Sequence, residues 1–259
     1  MKNIIPIPAL ADNYIWMFFD EALKAAWIVD PGEATPVINT LNQYGLRLAG
    51  ILITHHHADH CGGIAALLHH MGNIPVFGSY KSPNSFISHP LKEGDEIILT
   101  AKPDVLQFNA IEIPGHTLDH TAYYGSGGLF CGDTLFSAGC GKVFEGTPAM
   151  MYHSLGKLKQ LDDETKIYCG HEYTLANLQF AKQVEPNNPD IVNKIKSAEN
   201  LLQKNGCTLP STLQEEKTFN PFLRCDVKEV IDAAEKHAGK KLNDPVEVFA
   251  TLREWKNNL

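Results

Sequence analysis

Residues Thr54-His55-His56-His57-Ala58-Asp59-His60 follow the apolar run Ile51-Leu52-Ile53 and precede Gly62-Gly63, so the fold must place the pattern H-x-H-x-D-H where a strand ends. Polar groups crowded at such a junction cost free energy unless each donor and acceptor finds a partner. A bound cation satisfies several at once. In an extended segment His55 and His57 point to one side and His56 to the other. Asp59 and His60 then continue the cluster in the turn before a helix.

Three more candidates sit just past a strand and a glycine: Gly115-His116, Gly132-Asp133 and Gly170-His171. Sheet proteins gather their sites at strand ends, so these segments can converge. His55, His57, Asp59, His60, His116, Asp133 and His171 exceed the ligand set of one four-coordinate zinc and suit two divalent ions sharing a carboxylate. Such a centre is electrophilic and brings the pKa of bound water down to roughly 7, which favours hydrolysis. Zinc leads the expectation, and imidazole with carboxylate also accepts iron or manganese. Taken singly, His116 or His171 reads as a structural histidine and Asp133 as a turn or cap residue; the cluster at 54–60 changes that reading. His120 is close enough to His116 to support a ligand or to be structural. His69, His70, His89, His153 and His237 read as surface or core residues. A purely structural metal staple is the non-enzymatic alternative, but such sites are closed and rich in cysteine, and no cysteine belongs to this cluster.

The 259 residues are 44% apolar, which argues for a well-buried globular chain. A formal charge of −8 excludes an extended nucleic-acid footprint, so an anionic substrate must be held by a few local cations. Met1 to Leu10 lacks the apolar core of a signal peptide, and no run reaches the roughly 18 apolar residues of a membrane span. The six cysteines (Cys61, Cys131, Cys140, Cys169, Cys207, Cys225) are scattered and read as free thiols in a reducing cytoplasm. We expect a soluble cytoplasmic monomer.

Strand and helix signals alternate through the first two-thirds. Ile15–Phe19 and Ala26–Val29 read as strands, Thr35-Pro36 opens a helix ending near Gly45, Leu48–Thr54 is the strand delivering the cluster, and Ile64–Met71 is the next helix. Val76-Phe77, Glu96–Leu99, Val105–Phe108, Ile111–Ile113 and Lys166–Cys169 are further strands, and Gly125 to Gly128 marks a hairpin. From Tyr173 the strand signals stop. Asn188-Pro189 starts a helix with Ile191, Ile195, Ala198 and Leu202 on one face, ending at Gly206. Asp226 with Glu229 and Asp244 with Glu247 resemble capping boxes. These signals divide the chain into residues 1–171, an α/β domain that carries the candidate ligands, and residues 172–259, a helical domain.

The motifs resemble those of the metallo-β-lactamase superfamily and, more narrowly, the glyoxalase II (hydroxyacylglutathione hydrolase) family. The matching segments, beyond Thr54–His60, are Pro114–Thr117, Gly132–Phe136, Ala138–Lys142, Tyr168–Thr174, Asn220–Arg224, and Arg253 with Lys256. The resemblance implies a four-layer αββα sandwich followed by a C-terminal all-helical domain. It implies that His55, His57 and His116 hold one metal, that Asp59, His60 and His171 hold the other, and that Asp133 bridges, so that Asp59 and Asp133 orient the attacking hydroxide. It also implies a thioester of glutathione with a 2-hydroxy acid, typically D-lactoyl, as substrate in the second step of methylglyoxal detoxification, with Lys142, Tyr173, Arg253 and Lys256 contacting the glutathione part. Phe144 departs from the family pattern, since some members carry a tyrosine there. Arg253 and Lys256 share a helix face and suit a clamp for carboxylates, although cations there also offset the helix dipole. A lactonase, a phosphodiesterase or a glutathione persulfide oxygenase on the same scaffold are the alternatives.

Overall fold

The computed structural model describes residues 4–99 and 106–259. It has two compact units: residues 1–112 with 119–132, and residues 113–118 with 133–259.

In the first unit, β1 (Ile4–Ala9), β2 (Asn13–Asp20) and β3 (Ala25–Val29) form an antiparallel meander. Helix α1 (Thr35–Tyr44) leads to β4 (Arg47–Leu52), parallel to β3. Helices α2 (Ala58–Cys61) and α3 (Ile64–Met71) lead to β5 (Val76–Ser79), which is parallel to β4, and β6 (His89–Leu91) completes this sheet in the order 1 to 6. Strands β7 (Glu96–Ile98), β8 (Gln107–Glu112), β9 (Thr121–Gly125) and β10 (Gly128–Gly132) form a second, antiparallel sheet.

All of β2 is buried because both of its faces are covered, so it reads as a continuous apolar run rather than an alternating one. Ile15, Met17 and Phe19 join Val37 and Leu41 of α1 and Ile64 and Leu67 of α3 in one cluster. Phe18 points the other way, with its ring 5.3 Å from Phe108 of β8 and 5.6 Å from Phe130 of β10. Burying each of these rings is worth roughly 1.5–3 kcal/mol, which holds the two sheets face to face. That packing leaves the ends of β3, β4 and β10 to carry polar residues: Asp30, Thr54 to His60, and Asp133.

The sequence does not announce β1, because Pro6 and Pro8 argue against a strand. They lie opposite Trp16 and Tyr14 on the sheet's edge, where a missing N–H leaves no partner wanting. The two strands expected at Val105–Phe108 and Ile111–Ile113 are one strand, β8; Val105 lies outside the described residues.

The second unit begins with a tight hairpin, β11 (Leu135–Phe136) and β12 (Gly139–Cys140), followed by α4 (Pro148–Lys159) and β13 (Lys166–Cys169). Then come α5 (Thr174–Val184), α6 (Pro189–Asn205), β14 (Ser211–Thr212), α7 (Leu213–Phe219), a 3-10 turn (Pro221–Leu223), α8 (Lys228–Ala238) and α9 (Pro245–Asn257). The all-helical reading after Tyr173 is interrupted by β14, whose two residues pair with β13.

Helix α6 has the expected ends: the Asn188 side chain accepts from the Asp190 N–H at 3.0 Å, and Gly206 closes it in the left-handed region at φ 68°. The capping box expected at Asp226 does not form. Val227 occupies the cap, and the Asp226 carboxylate faces Lys159 at 3.4 Å. At Asp244 half of the box forms, accepting from the Glu247 N–H at 2.9 Å, while Glu247 accepts from Asn243. A reciprocal box does cap α7, between Thr212 and Glu215. Among the described residues no helix is long and apolar enough to cross a membrane.

Candidate metal centre

In the first unit, β4 delivers Thr54 and His55 into the interior, and α2 starts at Ala58, so the cluster straddles a strand end and one helical turn. His55 and His60 are buried, while Asp59 and His57 are partly exposed. The rings of His55 and His57 lie on one side and meet edge to face with centroids 4.7 Å apart. His56 points elsewhere, and its Nδ1 lies 2.9 Å from buried Asp119. His120 stacks on His55 at 4.6 Å, a supporting position rather than a surface one.

Asp30, just past the end of β3, is buried at φ 56°, and its carboxylate accepts from Thr54 N at 2.7 Å, Thr54 Oγ1 at 2.6 Å and His60 Nδ1 at 3.0 Å. The Thr54 hydroxyl proton is spent on Asp30, so its oxygen accepts from His55 Nδ1 at 3.0 Å. Both imidazoles therefore present an unprotonated Nε2. That of His55 lies 3.1 Å from His57 Nδ1, and that of His60 lies 3.3 Å from Asp59 Oδ2. His57 Nδ1 can donate to His55 Nε2, but an unprotonated His60 Nε2 beside the Asp59 carboxylate sets acceptor against acceptor and calls for positive charge between them, so this donor set fits a divalent cation. Asp59 is itself held by Asn13, whose amide donates to Asp59 Oδ2 at 3.1 Å.

The second unit repeats the arrangement. His116 donates from Nδ1 to the Lys142 carbonyl at 2.8 Å, which leaves its Nε2 unprotonated, 3.6 Å from Asp133 Oδ2. His171 Nε2 lies 3.2 Å from the same oxygen. All three side chains are buried. A Cβ on Gly141 would lie 1.9 Å from the Asp133 carbonyl oxygen and 3.2 Å from His116 Nδ1, so only glycine lets the base of the β11–β12 hairpin close on both residues. Gly132, at φ 47°, is confined in the same way by Thr54 and His120.

Of the residues expected at the substrate, Tyr173 stacks on His171 with centroids 4.7 Å apart and 5° between planes. Lys142 contributes its carbonyl to His116 and leaves its side chain exposed. Phe144 is 64% exposed, its ring edge against His116 at 5.2 Å. Arg253 and Lys256 do share a face of α9, but Arg253 is buried: Nη1 donates to the Cys140 carbonyl at 2.8 Å, and the guanidinium lies 5.2 Å over the Phe222 ring. Lys256 donates to Asn177 Oδ1. Burial, and secondarily the neighbouring Arg253 charge, lower the Lys256 pKa to about 8, with Cys140 acting in the opposite direction. Burial pushes the Cys140 thiol up against the pull of the two cations, so it is a neutral neighbour. All six cysteines are free thiols.

Two family profiles match the chain: "Metallo-beta-lactamase superfamily" over residues 24–171 and "Hydroxyacylglutathione hydrolase C-terminus" over residues 172–259. A hydroxyacylglutathione hydrolase of Nitrosomonas eutropha is 48% identical over 100% of this chain and 99% of its own. One of Nitrosomonas europaea is 46% identical over 100% and 97%. Among solved structures, ETHE1 from Myxococcus xanthus superposes with a TM-score of 0.65 at 24% identity, covering 99% of this chain and 98% of that one, a likeness of fold. The fold is thus that of the metallo-β-lactamases with a helical C-terminal domain, and the chain belongs to the hydroxyacylglutathione hydrolase family of that superfamily.

Proposed function

We propose that the chain hydrolyses the thioester of glutathione with a 2-hydroxy acid, typically D-lactoyl, releasing the acid and glutathione. One arrangement inside the second unit carries this reading. Arg253 is bonded to Cys140, and the next residue, Gly141, packs on both Asp133 and His116. A cationic pair suited to the carboxylates of a small peptide is therefore built onto the same hairpin as two candidate ligands. The relatives' names and the match to both family profiles support the same substrate.

In this reading His55, His57 and His116 hold one divalent ion, Asp59, His60 and His171 hold a second, and Asp133 is shared; zinc is our first assignment, with iron or manganese as alternatives. The bound ions would supply a nucleophile of lowered pKa and polarise the thioester carbonyl. The chain does the rest. Asp30, Thr54 and the Lys142 carbonyl fix three imidazole tautomers. Asp59 and Asp133 orient the attacking water. Lys256, Tyr173, Lys142 and Arg253 position the peptide part. The leaving thiol has an ordinary pKa near 8.5, so it departs as thiolate without a general acid, and no further proton donor is required. We assign catalysis to residues 1–171 and recognition to residues 172–259, in a monomer of the cytoplasm.

The test offers purified, metal-loaded protein a lactoylglutathione thioester beside a phosphodiester, a lactone and a lactam. Hydrolysis of the thioester at least a hundredfold faster than the others is expected. A faster turnover of any of the others would replace this assignment.

A further inference from the structure

Five consecutive residues of the β11–β12 hairpin have a backbone group held by a side chain from the helices. Asn220 Nδ2 donates to the Phe136 and Gly139 carbonyls at 3.1 and 3.0 Å, and Asn177 Nδ2 donates to the Ser137 carbonyl at 2.9 Å. The Ala138 N–H donates to Glu216 Oε2 at 2.8 Å, and Arg253 donates to the Cys140 carbonyl at 2.8 Å. Asn220 Nδ2 also reaches Glu216 Oε2 at 3.0 Å. A two-residue strand pair cannot hold itself rigid with its own ladder. Here the tip is fixed from outside, and Ala138 is kept at φ 56°, a conformation that a non-glycine residue adopts only under constraint.

Glu216 and Asn220 are both fully buried, four residues apart at the end of α7. Nothing in the substrate-recognition role of the helices requires a buried carboxyl there. Burial raises its pKa, opposed by the nearby Ser211 and Ser137 hydroxyls and by the Ala138 N–H and Asn220 amide that donate to Oε2. The hairpin it grips has its other end at Gly141, against Asp133 and His116.

We infer that Glu216 and Asn220 are positioning residues for the metal centre: by clamping the tip of the β11–β12 hairpin, they set Asp133 and His116 at its base. This rests on the reading of Asp133 and His116 as metal ligands, not on the identity of the substrate. The last third of the chain then helps to build the metal centre as well as to bind substrate.

The test reads metal affinity in the full-length protein, by competition of zinc with a chromophoric chelator and by the visible absorption of the cobalt(II) form. Glu216→Asp withdraws the carboxyl by one methylene from Ala138, and Asn220→Ser removes the amide. Each is expected to weaken metal binding at least about tenfold and to change the cobalt spectrum, with far-ultraviolet circular dichroism unchanged. Glu216→Gln has the same shape and keeps an oxygen for Ala138 and Asn220, so it should rescue binding to within about twofold. Folded Glu216→Asp and Asn220→Ser proteins with wild-type affinity and spectrum would overturn the inference. If neither variant folds, hydrogen exchange of the wild-type protein decides. Coupling is reciprocal, so metal loading must slow exchange at Ala138 more than at the amides of α6, and equal slowing would overturn the inference. A wild-type protein that binds metal but leaves the thioester intact would refute the substrate assignment alone.

Discussion

The carboxylate of Asp30 touches His60 directly at 3.0 Å and reaches His55 through the Thr54 hydroxyl, so one buried acid fixes the tautomers of two candidate ligands. Those two histidines fall to different ions in the proposed centre, which makes Asp30 a common support for both. Replacing it with asparagine preserves shape but presents an N–H₂ where His60 or Thr54 must donate. Asp30→Asn should therefore lower metal affinity about 10- to 100-fold, measured by chelator competition. Unaltered affinity would show that the tautomers are set elsewhere.

The Asp133 carboxylate lies within reach of both His116 and His171, at 3.6 and 3.2 Å. Its loss removes the ligand that the proposed centre shares between its two ions. Asp133→Ala should bind no more than one equivalent of metal and lose turnover by at least about three orders of magnitude. Metal stoichiometry and kcat measured on one preparation check this, and a variant with the wild-type rate would exclude the shared role.

The two kinds of information in the sequence were unequally legible. The cluster at Thr54–His60 is dense and local, and its two-residue spacing already put His55 and His57 on one side, where their rings meet. Asp30 was hidden because an aspartate before Pro31-Gly32 looks like any turn residue; only the register of β3 beside β4 brings it to Thr54. Glu216 was hidden for another reason. It follows a helix cap among other acids, and its burial is decided by the Ala138 N–H, far away in sequence. Arg253 was legible as a cation on a helix face, but its bond to Cys140 depends on a hairpin too short to show a strand pattern.

Phe222 is the centre of an aromatic group in the second unit, with Phe180 and Phe249 at 5.9 and 5.7 Å and the Arg253 guanidinium over its ring. It is fully buried. Phe222→Ala should destabilise the protein by about 3–5 kcal/mol through lost burial and the cavity left behind. It also removes the ring over which Arg253 is held, so KM for the thioester should rise as well. Denaturant unfolding and steady-state kinetics separate the two effects.

Lys256 provides a pH test with two opposite signs. Its folded pKa is lowered to about 8, chiefly by burial, against 10.5 for an ordinary lysine. Below pH 8 the amine is charged in both folded and unfolded chains, and the desolvation penalty is fully present. Between pH 8 and 10.5 the unfolded chain binds the extra proton, so this residue's contribution to stability improves as pH rises. Substrate binding moves the other way, because a neutral amine no longer attracts a carboxylate. KM should climb about tenfold as pH passes from 7 to above 9, the loss of one charge-assisted hydrogen bond. Lys256→Met should start with the raised KM and show neither trend. A wild-type KM that stays flat across this range, with Lys256→Met equal to wild type, would remove Lys256 from the substrate site.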